Sequence, residues 1–202
     1  SGTKVCVPAA RLAARILVPA SVGGGRVGLF LVDPKGPGVK LEMQTATNRE
    51  PIATLRLQRA RVKAQDVLGT LSRGRQMIAW TTERAITGLC ALQVGVAERA
   101  LRMTASYTSE RKQFDRPIGS FQAVHQRAAD AYIQLEAMRL TMQQAAFLLS
   151  QGRPAATAVS VAKIWAADGG NEHIGQARDA RKVRALRVAD GYRRVGKLRP
   201  KA

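Results

Sequence analysis

The 202-residue chain is long enough for one ordinary domain or two small ones, and its 46% hydrophobic content supports a real core and excludes disorder throughout. Lysine and arginine number 33 against 14 acidic residues, a formal charge of +19. That excess is uneven, because residues 171–202 hold 10 basic against 3 acidic side chains, more than a third of the surplus in a sixth of the length.

The first seventy residues read as strands. Arg26-Val-Gly-Leu-Phe-Leu-Val32 is a β-rich run closed by Asp33-Pro34 and Gly36-Pro37-Gly38, which are strong turn signals. Val39–Met43 and Thr54–Gln58 then alternate apolar and polar residues, as an antiparallel sheet with one wet face requires. The Gly23-Gly24-Gly25 cluster lacks the Lys-Ser/Thr of a phosphate loop and precedes a strand, so it reads as a connection.

From about Gln76 the period becomes helical. Ile78, Ala85, Leu89, Leu92, Val96, Ala100 and Met103 describe the core stripe of a long first helix ending near Tyr107. A second helix is expected from about Ser120 to Ser150, with Phe121, Val124, Ala128, Tyr132, Leu135, Met138, Met142, Ala145 and Leu149 inward. Gly152 and Pro154 stop it. A third helix over roughly Ala155–Asp168 would turn Val159, Ala162 and Trp165 inward. Short connections make the three antiparallel neighbours in a bundle. Between the first two helices lie Asp115, Arg116, the rigid Pro117, Gly119 and Ser120, read as a plain helix-to-helix turn with Ser120 as the cap.

Cys6 and Cys90 are far apart and form no Cys-x-x-Cys pair, so both are expected to be buried free thiols in a reducing compartment. His125 and His173 have no metal-ligand spacing. No apolar run approaches membrane-spanning length and no signal-peptide pattern opens the chain. A cytoplasmic protein without membrane contact is the expectation, and Ser1-Gly-Thr-Lys4 reads as a start within a longer sequence.

Glu110-Arg111-Lys112-Gln113-Phe114 followed by Arg116-Pro117-Ile118-Gly119-Ser120-Phe121-Gln122-Ala123-Val124 closely resembles the signature of the acyl-CoA dehydrogenases. Ser1-Gly-Thr-Lys4, Val27–Asp33 with Gly36–Val39, Val62–Gly69 and Ala162-Lys163 match the family in the expected order. The resemblance implies an α+β chain: part of the middle antiparallel β-domain over 1–70, then a helical-bundle domain over 71–170. It implies FAD as cofactor, an acyl-CoA thioester as substrate for α,β-desaturation, an electron-transfer flavoprotein as acceptor, and a homo- or hetero-oligomer, the family tetramer. In that family the connecting segment reaches the flavin of a neighbouring protomer. Carried over by position, Arg111 contacts the pyrophosphate, and Phe114 and Gln122 line the dinucleotide. A guanidinium, permanently charged and fork-shaped, suits phosphate oxygens. One position departs from the pattern, since Asp115 stands where the family usually has glycine.

After Gly169-Gly170 the resemblance is expected to stop. Residues 171–202, with Arg178–Arg184 and Arg193–Lys201, admit two readings: a polyanion-binding tail, or non-native sequence such as translation past a frameshift, which is preferred. A nucleic-acid partner is therefore not expected. The family's usual catalytic glutamate lies in the region without a match. Some members place it on the first C-terminal helix, but that slot falls near Ala85 and Ile86. Glu83, about 200° away around the helix, would face elsewhere and reads as a solvated first-turn acid. No catalytic residue is assigned, and activity of the chain alone is expected to be impaired or absent. The chain's expected role is then a truncated desaturase or a non-catalytic subunit that completes a paralogue's flavin site.

Overall fold

A computed structural model describes residues 1–179 apart from Asn48, with side chains through Gly170. It divides into two compact units, one spanning Ser1–Thr81 and the other beginning at Thr82. Among the described residues no helix is long and apolar enough to cross a membrane.

The first unit contains two antiparallel sheets of three strands. Strands β1 (Gly2–Pro8), β5 (Pro51–Leu57) and β4 (Val39–Thr45) form one, in that spatial order. Strands β2 (Ile16–Ser21), β3 (Val27–Val32) and β6 (Val67–Leu68) form the other. Ile16 and Val18 of β2, Val32 of β3, and Ala53 and Leu55 of β5 are buried together, so both sheets feed one core. The expected alternation holds only in part: Leu55 turns inward at 0% exposure, but Thr54 is buried as well and Met43 of β4 is exposed. Arg56 lies outside, where its Nε donates to Glu42 Oε1 at 2.8 Å. That hydrogen bond holds the Glu42 carboxyl below the usual carboxylate range.

The turns follow from backbone chemistry. Gly23, Gly24 and Gly25 all take positive φ and close the β2–β3 hairpin. At Gly38, φ is +77°, and an added Cβ would lie 2.2 Å from the Gln58 carbonyl oxygen. No other residue fits there. The outer strands carry features that discourage further pairing: Pro19 sits within edge strand β2, and β1 breaks register between Lys4 and Val7, with Cys6 at φ 54°. Cys6 is exposed there, which corrects the expectation that both thiols are buried.

The second unit is a bundle built on helices α1 (Gly74–Glu110), from its Thr82 onward, α2 (Gln122–Ser150) and α3 (Ala156–Asp179). Cys90 packs with Ala145, Ala155, Val159, Ala162 and Ala166. Val94 and Ala97 pack with Leu135 and Met138. Gly152, at φ 62°, ends α2 as expected, with the Arg153 amide donating to the Leu148 carbonyl at 3.0 Å.

Three expectations are corrected in this unit. On α1 the buried face is Cys90, Val94 and Ala97, with Ile86 and Leu101 packed beside them. Leu89, Leu92 and Val96 are 65%, 68% and 58% exposed, because the run Ala85–Ala97 is apolar on nearly every side and its stripe is ambiguous by one residue, about 100°. Tyr132 and Trp165 likewise face outward. Helix α3 runs to Asp179 instead of ending near Asp168. Its glycines serve close packing: a Cβ on Gly169 would lie 2.5 Å from Met138 Sδ, and one on Gly170 would lie 2.3 Å from Gln93 Nε2.

Candidate functional site

The connection between α1 and α2 is a β-hairpin, not a plain turn. Strand β7 (Lys112–Gln113) pairs antiparallel with β8 (Arg116–Pro117), joined by the two-residue loop Phe114-Asp115. Both loop residues have positive φ, 53° and 60°, which is the backbone signature of a type I′ turn. Such turns favour glycine, asparagine or aspartate, so Asp115 is tolerated where Phe114 is strained. This gives a conformational reason for a glycine at position 115 and shows that aspartate can stand in for it.

The base of the hairpin is tied to both helices. The Arg111 amide donates to the Tyr107 carbonyl at 2.9 Å, and its own carbonyl accepts from the Ile118 amide at 2.8 Å. A 3-10 turn over Ile118–Ser120 follows, and Gly119 lies so close to α1 that a Cβ would be 3.1 Å from the Thr108 carbonyl oxygen. Ser120 does not cap α2. Its hydroxyl donates to the Pro117 carbonyl at 2.7 Å, while Phe121 holds the N-cap position without a side-chain cap bond. The extra 3-10 turn moves the helix start one residue beyond the serine.

Arg111, Phe114 and Gln122 thus sit at three successive points of one connection: the end of α1, the hairpin tip and the start of α2. All three are exposed, Phe114 at 88%. Among the described residues neither the Arg111 guanidinium nor the Gln122 amide has a side-chain partner, so their donors are available. Lys112 and Arg116 add two cations to the hairpin, against Asp115 and the preceding Glu110, whose carboxylate accepts from Ser106 Oγ at 3.1 Å. A fixed guanidinium fork, an exposed aromatic ring and a primary amide form a donor set for an anionic ligand that also carries a flat ring.

Phe121 belongs to the same cluster, although the sequence placed it in the matched signature and in the core stripe of α2 with no cofactor role. The Arg116 guanidinium lies 4.1 Å from its ring centroid. The Phe114 ring meets it edge-on, with centroids 6.3 Å apart and planes at 78°. Aromatics at both ends of the six-residue turn-forming stretch 115–120 were the available signal.

Glu83 is half-buried in the third turn of α1, which starts at Gly74, and not a solvated acid of the first turn as expected; its carbonyl accepts from Thr87 Oγ1 at 2.9 Å, an ordinary intrahelical bond. Cys90 is 3% exposed, and burial pushes its thiol pKa up in spite of Lys163. The basic segment weighed as a polyanion-binding tail lies outside the described side chains.

The family model described as "Acyl-CoA dehydrogenase, C-terminal domain" matches residues 67–192, further than Gly170, where the resemblance was expected to end. Acyl-CoA dehydrogenase FadE27 of Mycobacterium tuberculosis is 38% identical over 179 residues, 85% of this chain and 47% of the relative. The ChsE4–ChsE5 complex of the same organism contains a chain with TM-score 0.80 and 39% identity, matched over 86% of this chain and 46% of its own length. A structure described as the Tcur3481–Tcur3483 steroid ACAD, G363A variant, gives TM-score 0.82 and 39% identity over 94% and 50%. The chain spans about half the length of the curated relatives it matches.

Proposed function

The chain belongs to the acyl-CoA dehydrogenase family, and from that premise we propose that it supplies the hairpin arm of an FAD site in an assembly that desaturates an acyl-CoA thioester between its α and β carbons. The observation that carries this reading is the type I′ hairpin, which holds Arg111 at its base, Phe114 at its tip and Gln122 just beyond, all exposed. FAD, when bound, supplies the acceptor for the β-hydride.

The chain's own residues bind and orient. Arg111 neutralises pyrophosphate charge through its planar fork, Phe114 covers a ring face, and Gln122 fixes an edge by hydrogen bonding. The fit is chemical: a permanent cation, an exposed aromatic ring and an amide suit a dinucleotide better than a metal or an uncharged ligand. No described residue is assigned as the base that removes the α-proton. The reading therefore makes the site a shared one, completed by residues of a second chain, in a homo- or hetero-oligomer. A partner role beside a paralogue is favoured by two similar structures, one described as the ChsE4–ChsE5 complex and the other under the paired names Tcur3481–Tcur3483. A steroid-derived acyl group is the preferred substrate class, from the steroid description of one of them, and an electron-transfer flavoprotein is the proposed acceptor.

Arg111→Gln tests the reading. The absorbance of the purified chain, alone and after co-expression with a complete paralogue, reports bound flavin. The expected outcome is flavin in the assembly and a loss of affinity on substitution by about tenfold or more, as for removal of a charge-assisted bond. Equal flavin content in both forms would overturn the role given to Arg111.

A further inference from the structure

Phe121 stands within the matched signature but is given no cofactor contact by the resemblance, yet the hairpin converges on its ring. Arg116 of β8 covers one face, and Phe114 of the turn meets its edge. The backbone of Phe121 is anchored on both sides. Its amide donates to the Ile118 carbonyl at 3.2 Å, and its carbonyl accepts from the Val124 and His125 amides, each at 3.0 Å. The ring is therefore fixed to the first turn of α2 and half-buried, whereas Phe114 is almost wholly solvated.

That contrast bears on the strained turn. Two adjacent non-glycine residues in the left-handed region persist only where surrounding contacts over-determine them. The Phe114 ring makes an edge-to-face contact with Phe121. Arg116 directly follows the turn, pairs with Gln113 across the hairpin and is held by the same ring. Edge-to-face aromatic pairs and guanidinium–ring contacts are both attractive beyond simple burial. A single side chain thus grips the residue before and the residue after Asp115.

We propose that Phe121 is a positioning residue: its ring clamps Phe114 and Arg116 so that the type I′ hairpin is held in the shape that displays Arg111 and Phe114 to a dinucleotide. This rests on the flavin reading of the hairpin, but the clamp itself is measurable without flavin.

The experiment uses the full chain, with Phe121→Leu, Phe121→Tyr, Phe114→Ala and the Phe121→Leu/Phe114→Ala double variant. Amide hydrogen exchange over residues 111–120 reads the hairpin directly. Exchange there, including the Ile118 amide, is expected to quicken about fivefold in Phe121→Leu, with α2 amides from Leu135 onward unchanged and wild-type protection restored by Phe121→Tyr. FAD titration, in the co-expressed assembly, reads the consequence. Phe121→Leu and Phe114→Ala are each expected to weaken FAD several-fold, and the double variant no further than the weaker single. Unchanged exchange in Phe121→Leu would overturn the clamp. So would FAD losses that multiply in the double variant, because the two rings would then act separately. Changes spread over all of α2 would make Phe121 an ordinary core residue and also overturn it. Absence of FAD binding in the wild-type assembly would sink the flavin reading and with it the display role, while the exchange data would still decide whether the ring holds the hairpin.

Discussion

At the scale of single residues, the connection between α1 and α2 is governed by positive φ angles. Sequence signals for a type I′ turn are Asn-Gly or Asp-Gly, and Phe114-Asp115 is neither, so the hairpin was not legible although every residue of its motif was. Gly38 is the opposite case, since its turn was read correctly from Gly-Pro-Gly. Replacing it with alanine places a methyl group against the Gln58 carbonyl at a strained φ. The expected cost is about 1–3 kcal/mol, seen as a lower Tm of the first unit. The two thiols differ just as sharply. Cys6 is exposed and should react quickly with a thiol reagent, whereas Cys90 should react only when the bundle opens. Burial raises the Cys90 pKa, so the native bundle holds that proton more tightly than the unfolded chain. Its contribution to stability is full below the unfolded thiol pKa, about 8.5, and is lost as pH rises through the folded value. Denaturation midpoints of wild type and Cys90→Ala should diverge less at alkaline pH than at neutral pH.

Helices and strands were found from their periods, but the face each one buries was not always the face predicted. On α2 the stripe Leu135, Met138 and Ala145 is buried as the pattern requires, although Ile133, Leu140 and Phe147 on its other side are also apolar and stay exposed. On α1 nearly every side between Ala85 and Ala97 is apolar, and only the neighbours α2 and α3 select the Cys90–Val94–Ala97 face. Substitution distinguishes the two cases. Leu135→Ala should cost about 2–5 kcal/mol in a thermal or urea melt of the bundle. Tyr132→Ala, on the exposed side of the same helix, should stay within about 0.5 kcal/mol. A large loss at Tyr132 would mean that the outward face is covered within the chain. Helix α3 teaches a related lesson. Glycines 169 and 170 looked like an ending in sequence, and they are instead where the helix comes close to Met138 and Gln93.

For the molecule as a whole, the exposed Leu89, Leu92 and Val96 on α1 mark a surface suited to another protein, and the oligomer proposed above gives it a use. Leu92→Glu is expected to leave the melting of the chain unchanged while shifting its light-scattering mass toward smaller species. An unchanged mass would remove this face from the interface. The sequence alone determined the class of the chain, β-strands followed by helices, and its family. Turn glycines, period and motif order are local properties, written into neighbouring residues. Only the tertiary structure decided which side of α1 is inward, that α3 continues through its glycines, and that Phe114, Arg116 and Phe121 meet. Those outcomes depend on contacts between residues distant in sequence or on a backbone conformation that side-chain identity disfavours, and neither is carried by local pattern.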